Sequence, residues 1–472
     1  MRNITEFISQ LNALLNNVVW GLPMMALIIG TGLYFSIRTG FPQLSKFGYA
    51  MKNTLGKAFS YGKIRDSGAI SPFQAVTTAL AGTVGTGNIA GVAGAIALGG
   101  PGAVFWMWVS ALFGMATKYS EIILAVKFRK RNSEGDWVGG PMYYITGGLG
   151  GSFKWLAVLF SFFGAAAALG IGNMVQINTA AGALSTLFNE FSSNGVAAGG
   201  RADITIRLGA GVVISLVTAL TLLGGMKRIG SVTEKLVPAM SLLYIVGALT
   251  VIIINFDKTA SVFRAIAVGA FAPKAVLGSA FGVGFAQSLR YGVGRGVFSN
   301  EAGLGSSPIA HAATSETDPV KQGLFGIFEV FADTILICTL TAFAILMSGT
   351  YIPYGRSAGA ELTVSAFGTA FGGKTAVTFI AIETALFATS TILSWSLYGC
   401  RCAEYIFGTK IITSYKLVYI VFIVIGASMQ MSLVWDIADT LNGLMAIPNF
   451  IALLALSGFV VKATREHFGN KT

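Results

Sequence analysis

Thr83-Val84-Gly85-Thr86-Gly87-Asn88 lies in the middle of an apolar segment, residues 71–99, that otherwise reads as a membrane helix. Two glycines spaced two apart, between a threonine and an asparagine, disfavour a helix interior, each glycine costing about 1 kcal/mol relative to alanine. A helix broken here frees backbone N–H and C=O groups at mid-bilayer depth. Lipid cannot satisfy them, so the break must face protein or a watery cavity. The half-helix that resumes near Asn88 directs a positive N-terminus, worth about half a charge, at the gap. A carboxylate suits that end, and a small cation suits the freed carbonyls opposite. The stretch therefore reads as a site for an anionic group together with a metal cation. The spacing of Gly87 and Gly91 also matches close packing of two helices. Gly85-x-Gly87-x-x-Ala90 fits the dinucleotide-binding fingerprint only by accident. That motif needs a preceding strand and an acidic residue about 20 positions later, where this chain reads Met107-Trp108-Val109-Ser110.

The 472 residues are 54% hydrophobic and 11% charged, with a mean hydropathy of +0.71. Soluble domains carry about 25% charged residues, so the chain is a polytopic membrane protein. Its 60 glycines and long apolar runs point to an all-α bundle, not to a barrel of short alternating strands. The net charge of +12 belongs to cytoplasmic loops and requires no nucleic-acid partner. Cys338, Cys400 and Cys402 lie in apolar segments, which argues against a disulfide framework. His311 and His467 lack metal-ligand spacing, and no catalytic triad is visible, so nothing suggests an enzyme. Residues 1–16 place Ile4, Phe7, Ile8, Leu11 and Leu15 at amphipathic spacing, as a helix lying on the membrane surface does.

Eleven segments reach the ~20 apolar residues that a bilayer demands: 17–37, 71–99, 101–127, 153–188, 206–225, 231–255, 276–312, 321–348, 374–407, 412–430 and 434–461. The loop after the first carries Arg38, Lys46, Lys52, Lys57, Lys63 and Arg65, which places it in the cytoplasm. Alternation then puts the N-terminus outside and the C-terminus inside. With the first span set aside, ten remain, and each set of five opens on a glycine-rich segment. The second such segment runs from Gly278 to Gly305, through Gly282, Gly284, Gly292, Gly294 and Gly296. The two enter from opposite sides, the pattern of a five-plus-five inverted repeat, and paired broken segments mark a transport site. The chain thus divides into 1–70 (surface helix, extra span and cytoplasmic loop), 71–255 (first repeat), 256–275 (extracytoplasmic connection), 276–461 (second repeat) and 462–472 (cytoplasmic tail).

Two long motifs carry a resemblance. Gly82-Thr83-Val84-Gly85-Thr86-Gly87-Asn88-Ile89-Ala90-Gly91-Val92-Ala93, and Arg295-Gly296-Val297-Phe298-Ser299-Asn300-Glu301-Ala302-Gly303-Leu304-Gly305-Ser306, resemble the alanine or glycine:cation symporter family, and the similarity runs along nearly the whole chain. The resemblance implies a LeuT-type core with one extra N-terminal helix in the cell membrane, carrying alanine or glycine with sodium. By this resemblance the backbone N–H groups of Thr86 and Gly87, beside Asn88, hold the substrate carboxylate. Carbonyls near Ala81, Thr83 and Val84 coordinate sodium, and the hydroxyls of Ser390 and Thr391 complete the ion site. Hard oxygen ligands suit such a cation. Gln176, with Asn173 and Asn178, falls in the third core helix, where the family places a substrate-facing glutamine; amides at this depth also serve as interhelical glue. Trp395, one turn beyond Thr391, implies a pocket wall. Leu289 and Gly292 are expected to supply wall and backbone where the second broken segment opens.

Charged residues inside the spans include Lys118, Glu121, Arg290, Arg295, Glu301, Glu329, Asp333 and Glu383. Pairing accounts for most of them, with Arg290 and Arg295 expected to neutralise Glu329 and Asp333. A proton relay through one of the two acids is the alternative. The reading is a sodium-coupled symporter of small neutral amino acids. A proton-coupled transporter on the same fold and an ion channel built from glycine-rich breaks are the competing readings.

Overall fold

The computed structural model describes the chain except residues 1, 55, 57–65, 67, 193–194, 274–283, 430–431 and 470–472. Lys57, Lys63, Arg65, Gly278 and Gly282 therefore lie outside the described residues. The principal helices are α1 (Arg2–Val19), α2 (Leu22–Thr39), α3 (Pro72–Thr83), α4 (Ala90–Gly99), α5 (Gly102–Lys127), α6 (Lys154–Leu169), α7 (Val175–Phe191), α8 (Arg201–Leu223), α9 (Gly225–Ile254), α10 (Thr259–Phe271), α11 (Phe285–Asn300), α12 (Pro319–Val330), α13 (Thr339–Ser348), α14 (Ala360–Phe371), α15 (Gly373–Phe407), α16 (Ile411–Ser428), α17 (Ser432–Ala455) and α18 (Ser457–Gly469).

Among the described residues nine helical stretches are long and apolar enough to cross a membrane, and the bent pair α3–α4 makes a tenth. The expected eleventh, 276–312, begins in residues outside those described. Its described part is α11 followed by a loop and a short turn, Pro308–His311. Two wide-turn segments, Gly170–Met174 and Phe331–Cys338, join α6 to α7 and α12 to α13. Such bulges bend a helix without breaking it and recur at functional sites.

The helices gather in two groups. In one, α5 packs along α11 and α12, and α11 lies against α4. In the other, α7 and α6 flank α15, and α8 packs on α16. α3 joins them, touching α15 of the second group and α12 of the first, and it also packs on α9. α1 lies on α17, where Asn16 Nδ2 donates to Asp439 Oδ2 (3.1 Å) and Thr440 Oγ1 (3.2 Å), while Leu11, Leu14 and Val18 stay exposed.

Several buried ion pairs and amide bridges fasten the first group. Lys118 Nζ meets Glu329 Oε1 at 3.2 Å and Ser307 Oγ at 2.7 Å, and His311 Nε2 meets Glu329 Oε2 at 3.1 Å, all without solvent exposure. Removing one member would strand a buried charge, which costs about 3–5 kcal/mol. This overturns the expected partnership of Arg290 and Arg295 with Glu329 and Asp333. Arg290 instead donates to Asn17 Oδ1 (3.3 Å), and the Arg295 guanidinium lies 5.3 Å from the Phe298 ring centre. For Glu329 the cation comes instead from Lys118 on α5, while Asp333 is bonded by the neutral groups Asn88 Nδ2, Ser299 Oγ and Thr334 Oγ1. At the loop end of this group, Arg129 donates to the carbonyls of Ala312, Thr314 and Glu316 (2.5–3.2 Å). Asp66, bonded by Trp137 Nε1–H and the Arg131 guanidinium, has its carboxyl held down to about 2.

Candidate functional site

The first break follows from its sequence. Ser71 and Gln74 cap α3 reciprocally, Ser71 Oγ accepting from Gln74 N (3.0 Å) and Gln74 Oε1 from Ser71 N (3.1 Å), with Pro72 at the first helical position. The helix then runs to Thr83 and stops. Val84 turns extended (ψ 91°), Thr86–Asn88 form a single tight turn, and α4 resumes 55° away from the α3 axis. Asn88 holds the bend. Its Oδ1 accepts Gly85 N–H at 2.8 Å, and its Nδ2 donates to Asp333 Oδ1 at 2.7 Å. Asn88 is fully buried and lines neither cavity described below, so its place is in the frame of the break.

The end of α3 faces α15. Ser390 Oγ comes within 3.4 Å of the Ala81 carbonyl oxygen, and Ser394 Oγ donates to Thr78 O at 2.6 Å. Thr391 lies so close to Gly85 that a Cβ there would sit 2.5 Å from Thr391 Oγ1. Thr83 turns its hydroxyl back to the carbonyls of Ala79 and Leu80 (3.4 and 3.3 Å) and lines the inner cavity. The structure thus brings Ala81 against Ser390 and Gly85 against Thr391, with Thr83 and Val84 between them in the chain. The polar groups these residues offer are carbonyl and hydroxyl oxygens, with no carboxylate among them, and oxygen donors of this kind suit a hard cation.

Two cavities meet at the break. A vestibule of about 770 Å³ is lined by Thr86, Gly87, Asn178 and Arg207, and by Phe298 and Glu361. A cavity of about 20 Å³, enclosed on most sides, is lined by Gly85, Gly87, Gln176, Glu301, Trp395 and Asn442 among others. Gly87 and Phe298 belong to both. The Phe298 ring lies against Gly87, 3.4 Å from where a Cβ would be, and stacks on Trp435 with centroids 6.4 Å apart. Phe298 is the partition between them. Sequence reading places it inside a motif and gives it no role; an aromatic directly before the second break is the available signal.

The other expected residues fall in three places. Gln176 faces the break, with its Oε1 accepting from Thr86 Oγ1 (2.9 Å) and Thr86 N–H (3.4 Å). Its amide oxygen thus occupies the backbone donor expected to hold a substrate carboxylate. Trp395 is 3% exposed and seated over Gly172, where a Cβ would lie 2.3 Å from the tryptophan, so only glycine fits at the α6–α7 bulge. Asn173 and Asn178 bridge to α16, through Tyr419 O (2.7 Å) and Gly426 O (2.9 Å), and of the two Asn178 also borders the vestibule.

Leu289 and Gly292 do not reach the site. Leu289 packs into the core, and a Cβ at Gly292 would meet the Ala103 carbonyl oxygen at 2.4 Å, so Gly292 serves the close approach of α11 to α5. The reason is the position of the second break. α11 runs unbroken through Gly292, Gly294 and Gly296, and the chain leaves the helix at Glu301, Gly303 and Gly305, with φ of 56°, 89° and 82°. A left-handed stretch is a turn requirement that glycine meets without penalty.

Broken helices in two groups that meet at a central cavity define a transporter of the LeuT type. The fold agrees with the crystal structure of MhsT in complex with L-phenylalanine, with a TM-score of 0.59 at 15% identity over 84% of this chain and 91% of that one. Residues 5–472 match the sodium:alanine symporter family, and the chain belongs to it. It is 44% identical to the sodium/alanine symporter AgcS of Methanococcus maripaludis, over 98% of this chain and 97% of that protein. It is 41% identical to an uncharacterised transporter of Haemophilus influenzae, over 96% and 95% of the two chains. The family comprises multi-pass membrane transporters, not enzymes.

Proposed function

We propose that this chain carries alanine or glycine together with sodium across the cell membrane by alternating access. The observation that carries the reading is the end of α3 laid against α15, with Ser390 Oγ 3.4 Å from the Ala81 carbonyl oxygen and Thr391 against Gly85. Sodium is held by the carbonyls of Ala81, Thr83 and Val84 and by the hydroxyls of Ser390 and Thr391. The substrate carboxylate takes the backbone N–H groups of Thr86 and Gly87, displacing the amide oxygen of Gln176. Trp395 bounds the space left for a side chain. Ion and substrate share one short segment of backbone, so binding of either orders the segment for the other, and the coupling is reciprocal. Alternating access is then the rocking of the α5–α11–α12 group against the α6–α7–α15 group around that segment.

Lysine and arginine bias supports a cytoplasmic loop 38–67, an external N-terminus and a cytoplasmic C-terminus. On that orientation the vestibule beside Arg207 and Glu361 opens outward. Reaction of a cysteine at position 52 with an impermeant reagent outside intact cells would overturn it.

Thr391→Ala tests the ion site. Alanine binding to the purified variant should need about tenfold more sodium, the loss of one hydroxyl ligand being worth roughly 1–1.5 kcal/mol. Unchanged sodium dependence would place the ion elsewhere.

A further inference from the structure

The two groups of helices meet at the vestibule where α11 faces α17. Phe298 of α11 and Trp435 of α17 stack there with centroids 6.4 Å apart, and Arg295 and Asp436 line the same vestibule from the two helices. α11 belongs to the first group, and α17 packs along α6 of the second. Rocking of one group against the other therefore changes the spacing of these two helices.

α1 lies across this seam and is bonded to both sides of it. Successive residues of a helix point about 100° apart, so the neighbours Asn16 and Asn17 reach two different helices. Towards α17 the attachment is broad. Asn16 Nδ2 donates to Asp439 Oδ2 and Thr440 Oγ1, and Trp20 Nε1 donates to the Asp439 carbonyl oxygen at 3.2 Å. Gly443, one turn beyond, lets α17 come so close that a Cβ there would overlap Val19. Val19 and Trp20 are buried in this contact, while Leu11, Leu14 and Val18 form an exposed apolar stripe on α1.

Towards α11 the attachment is one bond, from Arg290 Nη2 to Asn17 Oδ1 at 3.3 Å, at the protein surface. A single hydrogen bond between solvated side chains contributes little and gives way before three bonds and a packed interface do. At its other end α1 passes through Gly21, in extended backbone (φ −79°, ψ 172°), into α2, which packs on α5 of the first group. The helix thus has a firm seat on α17, a joint at Gly21 and a weak catch at Arg290.

We propose that α1 is a strap that travels with α17, and that its Asn17–Arg290 catch holds the vestibule in the arrangement seen here and is released when α11 moves against α17. This inference rests on the symporter reading above. It brings a helix outside both repeats into the moving machinery.

The test is reversible cross-linking of two cysteine pairs by a short bifunctional methanethiosulfonate: Asn17→Cys with Arg290→Cys, and Asn16→Cys with Asp439→Cys. Native Cys338, Cys400 and Cys402 are buried and stay in place. Sodium-driven uptake of labelled alanine into proteoliposomes is read before the reagent, after it, and after reduction. The 17–290 link ties two moving groups together and should cut uptake about tenfold or more, with recovery on reduction. The 16–439 link joins parts that move as one and should leave uptake within about twofold. Uptake that continues through the 17–290 link would overturn the strap. Arrest by the 16–439 link would overturn it equally, since α1 and α17 would then move apart. Failure of either pair to cross-link would contradict the placement of α1 across the seam.

Should a cysteine pair not transport before cross-linking, Arg290→Ala carries the test alone. At half-saturating alanine, an impermeant thiol reagent should modify Ser365→Cys in the vestibule about two- to tenfold more slowly once the catch is gone, as loss of one hydrogen bond to the open arrangement does. An unchanged rate would overturn the proposal. Wild type without sodium-driven uptake would overturn the symporter reading itself. Normal wild-type uptake, beside transport that runs on through both links, would overturn the strap alone.

Discussion

At the first break, residues 83–88, the chain stays in extended and right-handed backbone and offers main-chain atoms: Gly87 and Thr86 line an open vestibule, and the Ala81 carbonyl meets Ser390. At the second, Glu301, Gly303 and Gly305 take positive φ in a deeply buried stretch, and Phe298, Ser299 and Glu301 line the cavity. One break offers backbone groups, and the other adds an aromatic partition and an acidic residue. The two halves of an inverted repeat can therefore share a fold and divide the chemistry between them.

The glycines sharpen this contrast most strongly. At Gly303 an alanine must adopt left-handed backbone, costing about 1–2 kcal/mol. Its Cβ would also lie 2.3 Å from the Phe450 ring, an overlap worth about 1–3 kcal/mol more. Gly292→Ala would meet the Ala103 carbonyl oxygen and pay the overlap alone. At Gly294 nothing lies within 4 Å, and alanine gains up to about 1 kcal/mol of helix propensity. The unfolding midpoints of the purified variants should rank Gly303→Ala lowest, Gly292→Ala next, and Gly294→Ala at or above wild type. A Gly294→Ala variant as damaged as Gly303→Ala would mean that the break lies inside 292–296 after all.

Next in size comes the wall between the breaks. Trp395 packs against Gly172 and is tied to Glu301, and on the proposed reading it limits how far a substrate side chain can extend. Trp395→Ala should admit valine- or leucine-sized competitors of labelled alanine. Alanine itself should bind several-fold more weakly, a loss of about 1 kcal/mol of contact. A size limit unchanged in the folded variant would assign Trp395 to packing alone.

The first break was legible in the sequence because its glycines interrupt an otherwise unbroken apolar helix, and the ion-site partners Ser390 and Thr391 came with the resemblance. The second lies inside the expected segment Gly278–Gly305 but opens beyond Leu289 and Gly292, because composition does not distinguish a glycine that lets helices touch, as Gly292 does, from one that needs positive φ, as Gly303 and Gly305 do. The expectation at Leu289 and Gly292 fell with it. Pairing of buried charges was equally hidden. Arg290 and Arg295 fall on the span next to the one that carries Glu329 and Asp333, but which side chains of two neighbouring helices meet is decided by packing, and Glu329 is met by Lys118 from α5. Asn88, expected beside the substrate carboxylate, holds the bend by bonding both Gly85 and Asp333.

The central claim is that sodium and a small amino acid meet at the first break and move together. Purified protein in liposomes, supplied with labelled alanine under an inward sodium gradient, an inward proton gradient or neither, tests it directly. The account predicts transient accumulation above the equilibrium level with the sodium gradient alone, lost when sodium is equal on both sides. Accumulation driven by the proton gradient without sodium, or uptake indifferent to both, would contradict it.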